Sequence, residues 1–372
     1  MIPSSTRRQF LITAAATAAI GLPSMVQAAE DREAARAAAE TAAKAAIAAR
    51  EPWELGPFVK HPDPVLKPTR DSLFKCPIMG KEVRWEERNV YNPAVIVRNG
   101  RIHLLYRADD INKTLGWGRT CRIGLASSED GIRFTRHPAP VLYPDNDEFK
   151  QYEWEGGCED LHVVESEAGV YYMNYTTWRA TGTGNKDTLS IASSRDLVHW
   201  KKHGPAFAKT APDKVMGSRS GVVLTRREGD RLIATRVDGK YWMYFTHPCG
   251  LAWSDNLIDW TPTGKAVWPG GGREAGAMAL LRDDGILLMT QGGHYALGAW
   301  TVRQALIDPK DLKTVLKEPK EPLLWPQYEW ERQGMTGDTT VANGIAPFKG
   351  KWMMYYGAAD TCIGLASCPL GK

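Results

Sequence analysis

Two adjacent carboxylates, Glu159 and Asp160, stand behind a glycine pair and ahead of an imidazole in Gly156-Gly157-Cys158-Glu159-Asp160-Leu161-His162. A carboxyl group can give a proton to a leaving oxygen, and a second one can take a proton from an attacking nucleophile. The segment follows the turn-rich Pro144-Asp145-Asn146-Asp147 and the acidic aromatic run Tyr152-Glu153-Trp154-Glu155, and it opens the strand-like His162-Val163-Val164. Side chains on a strand alternate between faces, so Glu159 and Asp160 are expected to point apart, one toward chemistry and the other toward scaffolding.

The elements that must position them are short β-type runs. Ala94-Val95-Ile96-Val97, Ile102-His103-Leu104-Leu105-Tyr106, Val170-Tyr171-Tyr172-Met173-Asn174-Tyr175, Tyr241-Trp242-Met243-Tyr244-Phe245, Ile286-Leu287-Leu288-Met289 and Trp352-Met353-Met354-Tyr355-Tyr356 are strand-like, and most follow a glycine-bearing turn. Strand pairs joined at Asn99-Gly100, Ala168-Gly169, Asp238-Gly239, Asp284-Gly285 and Lys349-Gly350 recur at intervals of about 40 to 70 residues. Three repeats carry a tag, Ser128-Glu129-Asp130 through Phe134, Ser194-Arg195-Asp196 through Trp200 and Ser254-Asp255-Asn256 through Trp260. In each, a hydroxyl and an Asp make a turn, and an aromatic follows that can pack between sheets. The pattern predicts an all-β fold, a five-bladed β-propeller over 53–372.

In such a fold the innermost strand of each blade lines a central channel, and polar residues at its start gather at one mouth. The candidates are Asn92 and Arg107 with Asp109, then Asp160, His247 and Glu274, and finally Asp338 or Asp360.

Composition bounds the partners. The formal charge of +4 and the lack of a long basic run argue against nucleic acid. The N-terminus reads as a twin-arginine export signal over 1–28: Arg7-Arg8-Gln9-Phe10-Leu11, a short apolar run from Ile12 to Leu22, and Val26-Gln27-Ala28 as cleavage site. The apolar run is shorter than the about 20 residues a membrane span needs, so a periplasmic or secreted protein, off the membrane once cleaved, is expected. Residues 29–52 read as an Ala-rich helical spacer ending at Pro52, with docking or homo-oligomerisation as its sharper role. The six cysteines are scattered and form no Cys-x-x-Cys pair, which predicts buried free thiols. No metal cluster or cofactor motif is expected.

Several motifs in order carry a resemblance. Trp85-Glu86, Val90-Tyr91-Asn92-Pro93-Ala94, Leu104-Leu105-Tyr106-Arg107-Ala108, Ile123-Gly124-Leu125-Ala126-Ser127, Gly157-Cys158-Glu159-Asp160, Tyr172-Met173-Asn174-Tyr175-Thr176 and Tyr355-Tyr356-Gly357-Ala358-Ala359-Asp360 together resemble glycoside hydrolase family 130, the β-mannoside phosphorylases and β-mannosidases. The resemblance implies a five-bladed propeller, an inverting reaction on an oligosaccharide or glycoside, and Asp160 as general acid. It also implies that Arg107 and Asp360 hold the sugar or phosphate. Asn92, Asp109, His162, Arg179 and His247 complete the set of expected substrate contacts.

Two departures shape the expected reaction. The family's Pro-Arg after the Asp is Leu161-His162 here, and its His-Arg-Pro is Thr246-His247-Pro248. Both remove an arginine, the side chain suited to bidentate phosphate binding. Hydrolysis is therefore the leading expectation, with Glu274 or Glu331 as the base. The alternatives are phosphorolysis and a non-catalytic saccharide-binding propeller.

Overall fold

A computed structural model of the chain describes residues 25–112, 118–179, 187–246, 249–268 and 272–371. Most of the expected export signal lies outside the described residues. The fold is mostly β with few helices. Besides a small hairpin of Leu73–Lys75 with Glu82–Arg84, the strands of the described residues group into five main antiparallel sheets. The first comprises Asn89–Arg98, Arg101–Asp109, Cys121–Ser128 and Thr135–Arg136, and the second Gly157–Glu165, Tyr171–Trp178, Asp187–Ser194 and Lys201–Pro205. The third centres on Arg219–Glu228, Lys240–Thr246, Gly250–Ser254 and Trp260–Ala266. The fourth holds Glu274–Arg282, Gly285–His294, Ala299–Ile307 and Val315–Lys317. The fifth holds Thr340–Phe348, Lys351–Ala358 and Cys362–Pro369, and its outer strand is Val59–Lys60, from the other end of the chain.

The first strand of each sheet, here called inner, touches the inner strands of its neighbours, and the fifth closes on the first. Alternation along the strands supplies the glue. One apolar layer fills each seam between neighbouring sheets, for example Ile96, Leu105, Met173 and Tyr175 between the first and second, and Val97, Leu104, Phe348 and Met353 between the fifth and first. The turns work as their sequences predict: Asn99-Gly100 takes φ of 52° and 70°, Asp238-Gly239 51° and 75°, and Lys349-Gly350 48° and 78°, the doubly left-handed geometry that matches strand twist.

The tags also fold as turns, with one change. Ser128 Oγ and Asp130 Oδ1 accept backbone N–H groups from residues 130–133, and Ser194 with Asp196 repeats the pattern. In the third copy the capping side chain is Asn256 rather than Asp255, which pairs instead with Lys240. An amide oxygen serves the turn as well as a carboxylate does.

A second repeated device was hidden in the sequence. In three sheets a buried glutamate joins a tyrosine of the second strand to a cation of the outer strand. Glu86 accepts Tyr106 Oη at 2.9 Å and Arg136 Nε at 3.2 Å. Glu153 accepts Tyr175 Oη at 3.1 Å and Lys202 Nζ at 2.6 Å. Glu331 accepts Tyr356 Oη at 2.6 Å and Lys60 Nζ at 2.5 Å.

The Ala-rich segment forms the helix Met25–Ala48. Its half-buried or buried positions, Arg36, Ala39, Glu40, Ala43, Ala46 and Ile47, recur at one-turn spacing and so share one face. Ala39, Ala43 and Ile47 pack on Leu297, Ala299 and Trp325 of the same chain. No helix among the described residues is long and apolar enough to cross a membrane. All six cysteines are buried and free.

Candidate active site

Each inner strand breaks register near its start: between Tyr91 and Ala94, Glu159 and His162, Arg219 and Gly221, Ala275 and Ala279, and Ala342 and Gly344. Such bulges re-aim side chains. At three of them a non-glycine residue takes a positive φ, Asn92 at 46°, Asp160 at 47° and Ser220 at 23°, a conformation that L-residues enter at a cost.

The bulge corrects the expectation drawn from strand alternation. Glu159 and Asp160 do not point apart; the same two arginines hold both. Asp160 Oδ1 accepts Asn92 Nδ2 at 2.7 Å and Arg107 Nη1 at 3.1 Å, and its Oδ2 accepts Arg219 Nη2 at 2.8 Å. Glu159 meets Arg107 Nη2 at 2.6 Å and Arg219 Nη2 at 2.9 Å. Burial, working against Arg107 and helped by the charge of Asp160, pushes the Glu159 carboxyl up.

The arginines are themselves braced. Arg107 lies over the Tyr91 ring at 4.6 Å and meets Asp109 at 3.4 Å. Asp109 also accepts the Tyr91 hydroxyl at 3.0 Å. Burial opposes its charge, but Arg107 and Arg119 outweigh burial and hold its pKa below the ordinary value. Asp109 is thus a support for Arg107. Arg219 reaches from the third inner strand and also pairs with Asp187 at 3.1 Å.

Arg219 was missed in the sequence reading, which looked for the third-sheet residue at His247. His247 lies outside the described residues. The third inner strand is separated from its main partner Lys240–Thr246 by the inserted strands Arg231–Ala234 and Arg236–Val237, so the simple hairpin pattern begins too late. Arg219-Ser220-Gly221, a polar start to an apolar run, is the signal that could have found it.

The other expected residues divide. Asn92 sits in the site, packed over Gly357, where an added Cβ would come within 2.2 Å of Asn92 Oδ1. Asp360 is buried in the left-handed turn Ala359-Asp360 of the fifth sheet, beside Thr361, whose carbonyl accepts Val90 N at 3.0 Å from the first inner strand. His162 lines a cavity of about 40 Å³ among the inner strands with Asn174 and Asn343. Burial lowers its pKa to about 4 against the pull of Asp160, so it is neutral. Arg179 is half-buried just past Trp178, at the end of the second strand of its sheet. Glu274 begins the fourth inner strand, half-exposed, and its charge is felt by Arg219.

Glu331 does not join them. Besides Lys60 and Tyr356, it accepts the backbone N–H groups of Gln327 and Tyr328, and it is fully buried. It shares none of these partners with Asp160 and is the fifth-sheet counterpart of Glu86 and Glu153. Its glutamate-after-tryptophan setting looks chemical but serves packing. Trp85 stacks on Tyr106, and Trp330 on Tyr328 and Tyr356. Asp338 pairs with Arg36 of the helix at 2.8 Å. Among the described residues no group of His, Cys, Asp and Glu is placed to hold a metal ion.

This arrangement can protonate a leaving oxygen from one side while arginines bind anionic or hydroxyl-rich groups. Residues 62–372 match a family model described as β-1,4-mannooligosaccharide phosphorylase. A 1,2-β-oligomannan phosphorylase of Thermoanaerobacter sp. (strain X514) is 32% identical over 301 residues, 77% of this chain and 91% of the relative. A β-1,2-mannobiose phosphorylase of the same organism is 31% identical over 318 residues, 79% of this chain and 95% of the relative. A solved structure reported with the finding that the family of mannoside phosphorylases contains glycoside hydrolases targeting β-1,2 mannosidic linkages in Candida mannan superposes with a TM-score of 0.81 at 34% identity. That match covers 87% of this chain and 96% of the other. With the motif order, the arginine-held Asp160 and the match over 62–372 in agreement, the chain belongs to glycoside hydrolase family 130 and is a glycoside-processing enzyme.

Proposed function

We propose that the chain cleaves β-1,2-linked mannooligosaccharides by inverting phosphorolysis, on a five-bladed β-propeller whose blades are the five sheets. The observation that carries this is Asp160 held at the start of an inner strand by Asn92, Arg107 and Arg219. Asp160 delivers a proton to the glycosidic oxygen, directly or through a sugar hydroxyl. Phosphate attacks the anomeric carbon from the opposite face, the carbon–oxygen bond breaks, and α-mannose 1-phosphate and the shortened oligosaccharide leave. Arg107 and Arg219 supply the forked donors that suit a phosphate. This reverses the preference for hydrolysis drawn from Leu161-His162 and Thr246-His247, because the curated relatives are phosphorylases and Arg219 supplies a guanidinium that the motif reading had counted as lost.

Hydrolysis is a second reading, favoured by specific observations. Arg107 and Arg219 are already engaged by carboxylates, and Glu274 stands at a neighbouring strand start as a base for water. A twin-arginine leader, proposed from Arg7-Arg8, also suits hydrolysis, since a sugar phosphate made outside the cytoplasm is not conserved there.

The test is to incubate the protein with β-1,2-mannobiose with and without inorganic phosphate. Phosphate-dependent consumption with an α-mannose 1-phosphate signal in ³¹P NMR is expected. Equal release of free mannose in both reactions would overturn phosphorolysis in favour of hydrolysis. In either case Asp160→Asn should lower kcat by about 10²- to 10⁴-fold.

A further inference from the structure

The Ala-rich helix was expected as a spacer or an oligomerisation element, yet its buried face is occupied by its own chain. Where it docks is informative. Arg36 Nη2 reaches Asp338 Oδ1 at 2.8 Å, and Asp338 stands just before the fifth inner strand Thr340–Phe348. Glu40 accepts Arg332 Nη2 at 3.1 Å. Ala39 and Ala43 pack on Leu297 and Ala299 of the fourth sheet. The helix thus bridges the fourth and fifth sheets at the end where the inner strands start, the end that holds Asp160 and Glu274.

At that end the fourth sheet overhangs. Glu274 pairs with Gln291, and the strand continues three residues further to His294 before turning at 295–298. At strand rise this lifts the turn roughly 10 Å above Glu274. The turn is held from below: Leu297 is 1% exposed under the helix, and its N–H donates to His294 Nδ1 at 3.3 Å. Tyr295, at the top, is 89% exposed. A large aromatic side chain kept on a braced turn and left uncovered is a stacking surface.

We propose that Tyr295, positioned by the docked helix, forms an outer subsite for a mannosyl unit more than one ring away from the bond being cleaved. The helix is then a positioning element for long substrates. This rests on the mannooligosaccharide reading above. Stacking of one sugar face on Tyr295 is worth about tenfold in affinity.

The experiment compares kcat/KM on β-1,2-mannobiose and β-1,2-mannotetraose, with phosphate present. Tyr295→Ala should lose about tenfold on the tetraose, through KM, and keep wild-type values on the biose. Tyr295→Phe should restore the tetraose value. Ala43→Glu, which pushes a charge under the helix, should reproduce the Tyr295→Ala pattern with an unchanged thermal transition of the sheets. Ala45→Glu on the exposed face should change nothing. Equal effects on both substrates, or none on the tetraose, overturn the subsite. If the wild type turns over neither substrate, the function reading falls. Calorimetric titration of tetraose into Asp160→Asn, with and without Tyr295→Ala, then decides the inference, and unchanged or absent binding overturns it.

Discussion

At the scale of single residues, the site depends on where the backbone lets charge sit. Asp160 was legible as a candidate for chemistry because a carboxylate pair behind two glycines at a strand start is a recognisable constellation. Its true surroundings were not, because alternation assumes an unbroken strand and a left-handed residue at a bulge breaks that assumption. His162 shows the other cost of crowding groups among the inner strands. Buried, with a pKa of about 4 against an ordinary value near 6.5, it is neutral in both folded and unfolded chains above pH 6.5. As pH falls below 6.5 the unfolded chain takes up a proton that the folded one refuses. Stability should therefore be lost between pH 6.5 and about pH 4, by about 2 kcal/mol at pH 5. His162→Asn cannot titrate. Urea unfolding at pH 7 and pH 5 should show a drop for the wild type that exceeds the variant's by about that amount. Parallel drops would show that His162 is not the responsible group.

At the scale of elements, the strands and their turns were readable because period-two patterning and Asn-Gly or Asp-Gly turns state their geometry locally. The run Ile-Gly-Leu-Ala-Ser occurs at 123–127 and again at 363–367, but the reason for its glycine is not local. Gly124 stands directly across from Tyr106 and Gly364 across from Tyr356. A Cβ on either glycine would fall 2.4 Å from the tyrosine Cζ. The glycine lets the ring lie flat and reach its buried glutamate, a contact between distant positions that no local pattern announces. Gly364→Ala should therefore destabilise the protein by about 1–3 kcal/mol through overpacking. Gly293→Ala, with no atom within 4 Å of the new Cβ, should stay within about 0.5 kcal/mol of the wild type. Chemical denaturation of the two variants side by side checks this. Equal stabilities would remove the tyrosine contact as the reason for the glycine.

At the scale of the whole molecule, Glu331 joins segments far apart in the chain within the fifth sheet. Val59–Lys60 adds the outer strand to a sheet built from the chain's other end, so Lys60 ties positions 271 residues apart when it meets Glu331. Glu331 looked like a catalytic base in sequence because an acidic aromatic run is ambiguous between chemistry and packing. The matching trios at Glu86 and Glu153 resolve it. Lys60 is nearly as buried as its partner, with side-chain exposures of 3% and 0%, and burial lowers its pKa to about 8 despite Glu331. A desolvated pair of this kind adds little over an apolar replacement, but half of it left alone is costly. Lys60→Met should thus lose about 3–5 kcal/mol in urea unfolding at pH 7, with the Asp160 site reporting the same transition because the sheets share one ring. Lys60→Met combined with Glu331→Gln should recover part of that loss, since no buried charge then stands unpaired. If Lys60→Met alone unfolds within 0.5 kcal/mol of the wild type, the closing strand is held by its backbone ladder and apolar seam, and the ion pair is incidental to closure.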